Sequence, residues 1–222
     1  DPAGKGSVFF DAEELEVHAL ALGPDRMLYV GSSPDGKIYR VDPAGKGSVF
    51  FDPADKYIWS LAVDKAGNVF AGTGDKGVVY RIAADGKGVP FYETKATHAM
   101  SLTFDRSGRL LVGTESPGRV FQIDSSGKPF VLLDSPFNEI RSLRVAPDGT
   151  IYATAVSARS GQRGGSPAPA PAADPTPAVS VPSVSVEVTS VTVVADAVVS
   201  AGSSSPAPRA PAGSGTGGVY RI

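Results

Sequence analysis

The chain of 222 residues contains two histidines, His18 and His98, and no cysteine. Disulfides and thiolate metal sites are therefore excluded. A metal held by either imidazole needs further histidine or carboxylate ligands converging on it. The candidates are Glu16 and Glu139, with Asp35, Asp75 and Glu115 in nearby turns. The competing reading is two histidines on a wall or surface. No Ser-His-Asp spacing and no nucleophile elbow occurs, so no catalytic residue, metal ligand or cofactor is assigned. Residues 72–77, Gly-Thr-Gly-Asp-Lys-Gly, match the G-x-G-x-x-G pattern of dinucleotide sites. A strand-patterned run follows them instead of a helix, so no helix N-terminus is offered to a pyrophosphate, and they read as a turn.

A second group carries more information. His18, Trp59, Met100 and Arg141 fall at one step of 41 residues, and each is a different residue type. Their neighbours Leu20, Leu61, Leu102 and Leu143 keep the same step without changing. Within a repeat, scaffold positions agree and site positions are free to diverge. Trp, Tyr and Arg also dominate interface energetics. With Tyr57 and His98 close by in sequence, the candidate binding residues are His18, Tyr57, Trp59, His98, Met100 and Arg141. The alternative is drift at a tolerant position.

The elements that position these residues follow from the repeat. Residues 42–82 contain four short β-patterned runs, at 49–51, 58–63, 68–72 and 78–82, separated by Gly- and Asp-containing turns. The chain writes this unit four times, at 1–41, 42–82, 83–123 and 124–222, the last interrupted by an insertion at 158–215. Four strands in about 40 residues mark a β-propeller blade. The innermost strands are expected at 17–22, 58–63, 99–104 and 140–145, alternating in facing and apolar or small on both sides. Leu20 and its repeats are the expected core. Because strand direction alternates, the loops entering the innermost strands and the loops between second and third strands share a face, the mouth of the channel.

Residues 1–10 repeat 42–51 residue for residue, and 218–222 form a third strand with no fourth after it. Pairing these ends would close a ring and remove two sheet edges. The fold class is thus all-β, a propeller of four 41-residue, four-stranded blades. Its ring would close as four blades alone or as eight in a homodimer. Small residues at Ala19, Ser60, Ser101 and Ser142 suit the shallower blade angle of the eight-bladed ring. The insertion has Pro/Ala/Ser-rich flanks around a valine-rich segment at 179–199. It reads either as a flexible spacer or as a projecting hairpin.

Hydrophobic content of 41% is that of a soluble globular protein. With 21 basic and 23 acidic residues, the chain lacks the basic face that nucleic-acid binding requires. No apolar run is long enough to cross a membrane. No leader is visible, although the chain begins inside a repeat, so an extracytoplasmic location stays open.

The units share G-x-V/I-Y-R-I/V-D and D-x-x-G-N-V-F-A-G-T patterns, and in these they resemble bacterial β-propellers of the broad NHL, SMP-30 and WD40-like kind. The GH and WD dipeptides of true WD40 repeats are missing. The resemblance to SMP-30-like lactonases implies a channel metal held by Glu, Asn and Asp, and no matching trio lies in the innermost strands. Three readings follow. The first is a non-enzymatic scaffold that binds a protein or peptide at the channel mouth. The second is a propeller hydrolase or lyase with a channel metal involving His18 or His98. The third is a truncated or engineered propeller with no ligand.

Overall fold

The computed structural model describes residues 4–157 and 217–222. The insertion, with its expected valine-rich strand, lies outside the described residues. The first repeat forms β1 (Glu16–Leu22), β2 (Leu28–Ser33), β3 (Ile38–Val41) and β4 (Gly47–Phe51), hydrogen-bonded in that order. The second forms β5 (Ile58–Val63), β6 (Val69–Thr73), β7 (Val78–Ile82) and β8 (Gly88–Glu93), again in order. The third supplies β9 (His98–Phe104), β10 (Leu110–Glu115), β11 (Arg119–Ile123) and β12 (Pro129–Asp134). The fourth supplies β13 (Glu139–Val145), β14 (Ile151–Val156) and β15 (Gly217–Arg221). One bridge, Glu115 opposite Glu139, joins the last two into a seven-stranded sheet. Every pairing is antiparallel. No helix occurs among the described residues, and so none is long and apolar enough to cross a membrane.

The tight turns are fixed by aspartates. Asp64 Oδ1 accepts the N–H groups of Ala66 and Asn68, and Asp105 Oδ1 accepts those of Ser107 and Arg109. Asp42 and Asp124 do the same between third and fourth strands. A short side chain that accepts from the backbone two and four residues ahead folds the turn locally.

Successive repeats pack face to face. Ala19, Tyr29 and Ile38 of the first meet Ile58, Leu61, Val69, Ala71 and Ile82 of the second. Phe70 and Val79 of the second meet Ala99, Leu110, Val112, Phe121 and Ile123 of the third. Leu111, Val120 and Leu133 of the third meet Ile140, Leu143, Ile151 and Ala153 of the fourth. Serine hydroxyls cross two of these junctions: Ser60 Oγ donates to the Ala99 carbonyl at 2.9 Å and Ser101 Oγ to that of Ile140 at 3.2 Å. Tyr80 donates to Asp55, and burial together with this hydrogen bond pushes its pKa up to about 12.

Three expectations are corrected. Strict alternation along the innermost strands fails, because the pairing slips by one residue in each of them. Ile58 and Leu61, three apart, therefore face the same preceding repeat. Leu20 is not core: it is 62% exposed, whereas Leu61 is 8% and Leu143 2% exposed. Nothing among the described residues covers the innermost strand of the first repeat as the first repeat covers that of the second. Lastly, residues 4–10 form no strand, and β15 pairs with β14 alone. The head-to-tail pairing is not made within the chain among the described residues.

Residues 4–10 do occupy a recognisable place. The carbonyl of Phe9 approaches Gly45, and the ring of Phe10 approaches Gly47. In the same way the carbonyl of Phe50 approaches Gly86, and the ring of Phe51 approaches Gly88. Phe10 and Ala12 pack on Val30, Tyr39 and Val41. The N-terminal segment thus lies against the first repeat as β4 lies against the second.

Candidate functional site

The slip in the innermost strands falls at one repeat position. In β1, Val17 pairs with Ser32 and Ala19 with Gly31, which leaves His18 over. In β5, Ile58 pairs with Thr73 and Ser60 with Gly72, leaving Trp59. In β9 the residue left over is Met100, between Ala99 and Ser101. In β13 it is Arg141, between Ile140 and Ser142. The four divergent residues are the bulge residues of the four innermost strands; the outermost strands β4, β8 and β12 slip as well, at Phe50, Phe91 and Leu132. A bulged residue is released from the ladder and re-aimed, and such positions are over-represented at rims and beside active sites. Release from pairing permits four unlike side chains at this position but does not demand them, since the outer-strand bulge residues Phe50, Phe91 and Leu132 are all apolar.

Three of the bulge residues line one cavity of about 220 Å³: His18, Trp59 and Arg141. Residues from β1, β5, β9 and β13 all contribute to its wall, so the innermost strands of all four repeats converge there. Met100 holds the equivalent place in β9 and is half-buried, but is not among the residues of that wall. Tyr57 and His98 are not among the residues of that wall, but the rings of both contact the indole. Trp59 is stacked on Tyr57 at 5.7 Å and 12° between planes. His18 of the preceding repeat lies 4.6 Å from it, and His98 of the following repeat 5.6 Å, edge-on. Three successive repeats thus each supply a ring to one aromatic cluster.

Polar contacts orient the edges of the cluster. His18 Nε2 lies 2.9 Å from Glu16 Oε2, and Arg141 pairs with the buried Glu139 at 3.0 Å. The Asp75 N–H donates to His98 Nδ1 at 3.3 Å, so the neutral imidazole carries its proton on Nε2. The Trp59 indole N–H is buried with no hydrogen-bond partner among the described residues.

Gly74 and Asp75 also touch this cluster, although the sequence placed them only in a turn, Asp75 as a candidate metal ligand. A methyl group on Gly74 would fall 2.9 Å from Trp59 Nε1 and 3.2 Å from His98 Nδ1. The other repeats carry Ser33, Glu115 and Val156 at this position. The middle glycine of residues 72–77 makes room for the indole; its peculiarity to this turn was the available signal. Asp75 adopts φ of 62° in this turn, and its N–H reaches His98 Nδ1.

A channel metal does not fit these residues. The one lone pair of neutral His98 is taken by Asp75, Glu16 is engaged by His18, and Glu139 by Arg141. Among the described residues no three His, Cys, Asp or Glu side chains converge to hold an ion.

No family model matches the chain, and no curated protein matches it. Solved structures do. Virginiamycin B lyase from Staphylococcus aureus is 12% identical with a TM-score of 0.59, over 65% of this chain and 51% of its own. A gluconolactonase from Xanthomonas campestris is 17% identical with a TM-score of 0.54, over 65% and 59%. The nidogen/laminin complex is 14% identical with a TM-score of 0.57, over 63% and 57%. The matched region is about half to three-fifths of each of those chains. At these identities the likeness is one of fold, and the fold is the β-propeller kind that the repeats resemble.

Proposed function

We propose that this propeller binds a protein or peptide at the channel mouth, through Trp59 and the bulge residues around it. The observation that carries the reading is the coincidence of divergence with bulging. One position in each innermost strand is freed from the ladder, and it bears His18, Trp59, Met100 and Arg141 in turn. A bulge re-aims a side chain at the cost of a local bend, and pairing resumes on both sides of it, so unlike side chains stand on one repeated scaffold. The chemistry suits a short segment with an aromatic or apolar residue against Trp59 and a carboxylate toward Arg141 and Arg144, which line the same cavity. Selection of a displayed random-peptide library on the purified protein tests this. Enriched sequences should pair an acidic with an aromatic residue and lose about tenfold or more in affinity on Trp59→Ala and on Arg141→Ala, as interface anchors do. Peptides that bind both variants as well as the parent would defeat the reading.

A second reading, a propeller-type hydrolase or lyase, is favoured by the company of a lyase and a gluconolactonase among the similar structures. Its residue would be His18, held by Glu16 beside the cavity and able to accept a proton. Turnover of a lactone or cyclic ester panel that disappears in His18→Ala would favour it. Equal background rates in both proteins would remove it.

A further inference from the structure

The three internal junctions share a device that the fourth repeat lacks. The second strand of each earlier repeat sets a glycine against the innermost strand of the next. A methyl group on Gly31 would fall 2.5 Å from Ile58 Cγ2, one on Gly72 2.5 Å from the Ala99 carbonyl oxygen, and one on Gly113 2.6 Å from Ile140 Cγ2. The fourth repeat has Thr154 at this position. It also has Arg144 where the others have Ala21, Ala62 and Thr103, and both side chains are exposed. A β-branched residue where the backbone of the next repeat must come within van der Waals contact forces the two sheets apart.

The opposite end of the chain is different. The face of the first repeat that looks away from the second carries Val17, Leu20 and Leu22 where the second repeat carries Ile58, Leu61 and Val63. These three are exposed, although their counterparts in the second repeat are packed. The outer part of the same face is covered by Phe10 and Ala12. Phe9 and Phe10 hold the place of an outermost strand belonging to a preceding repeat. What the face lacks is the inner three strands of that repeat.

We propose that the open face of the first repeat is a docking surface for a three-stranded propeller repeat bearing glycine at the position of Gly31, which residues 4–10 complete as its fourth strand. The fourth repeat of a second copy does not meet this description, because of Thr154 and Arg144. This does not depend on what the channel mouth binds.

The absence of cysteine makes Leu20→Cys a single-site reporter of coverage. In the otherwise unchanged chain, maleimide labelling should be fast and independent of protein concentration, with one chain mass by light scattering. Fusing a copy of residues 94–123, which spans β9–β11 and brings its own glycine, ahead of residue 1 should slow labelling by about tenfold or more, as burial does. Replacing that glycine by threonine in the fused copy should restore the fast rate. An unslowed fusion overturns the proposal. So does an unfused chain whose labelling slows as its mass doubles, since a second copy would then be the occupant. Independently of any fusion, Thr154→Gly with Arg144→Ala should let the full chain dimerise and protect its reporter. Ser142 already stands where Ser60 and Ser101 cross to the next repeat. A variant that stays monomeric and freely labelled would show that glycine is not the determinant.

Discussion

The internal junctions and the two outward faces of this chain are built on the same strand positions and behave differently. Ile38, Val79 and Val120 are wholly buried, while Val219 at the same position of the fourth repeat is 72% exposed. Leu61 and Leu143 are core, and Leu20 is surface. Burial at these positions depends on whether another sheet lies across them and not on residue type. Removing apolar area from water is what stabilises a junction, at roughly 25 cal/mol per Å².

The largest test of that contrast is a matched pair. Leu143→Ala should cost about 2–5 kcal/mol, through lost burial and the cavity left behind. Leu20→Ala should change stability by about 0.5 kcal/mol or less, as exposed substitutions do. Chemical denaturation of the two variants reads the difference, and equal losses would mean that the first repeat is covered in solution. Next comes Gly72→Ala, expected to cost about 1–3 kcal/mol because its methyl group meets the Ala99 carbonyl. Thr154→Ala at the equivalent outward position should be neutral within about 0.5 kcal/mol. Smaller again is Ser101→Ala, which removes the hydroxyl that crosses to Ile140 and should cost about 0.5–1.5 kcal/mol.

The last prediction compares the first and second repeats. Tyr80 donates to Asp55, whereas the Tyr39 hydroxyl at the equivalent position is buried with no partner among the described residues, and Glu14, in the place of Asp55, is taken by Lys37. The folded pKa of Tyr80, about 12, lies above its ordinary value of 10.0. The folded state therefore holds the phenolic proton more tightly than the unfolded chain. The stability this contributes is complete below pH 10 and is lost as pH rises toward 12. Denaturation midpoints should fall across that interval, and Tyr80→Phe should flatten the fall. An unchanged slope in that variant would detach the titration from this contact.

Much of this was legible in the residues. The 41-residue step, four strands per unit and aspartate-glycine turns specified an all-β repeat fold, because each is a local pattern that a strand or turn requires. The same step set His18, Trp59, Met100 and Arg141 apart as divergent. It could not show that they are bulge residues, since a bulge depends on which residue lies opposite in the neighbouring strand. The stacking of three rings from three repeats on one indole, and the glycine that admits it, were equally out of reach. Gly74 looked like part of a phosphate motif because G-x-G-x-x-G says nothing about what approaches the glycine from outside.

The sequence by itself determined the repeat, its strands and turns, and the divergence of His18, Trp59, Met100 and Arg141 beside a constant leucine. Tertiary structure alone decided which leucines are core, which glycines are contact points and which ring neighbours which. Local pattern is set by covalent geometry and side-chain type over a few residues. Burial and register are set by the surface of a different strand or repeat, and identical residues such as Leu20 and Leu61 take opposite fates according to whether that surface is there.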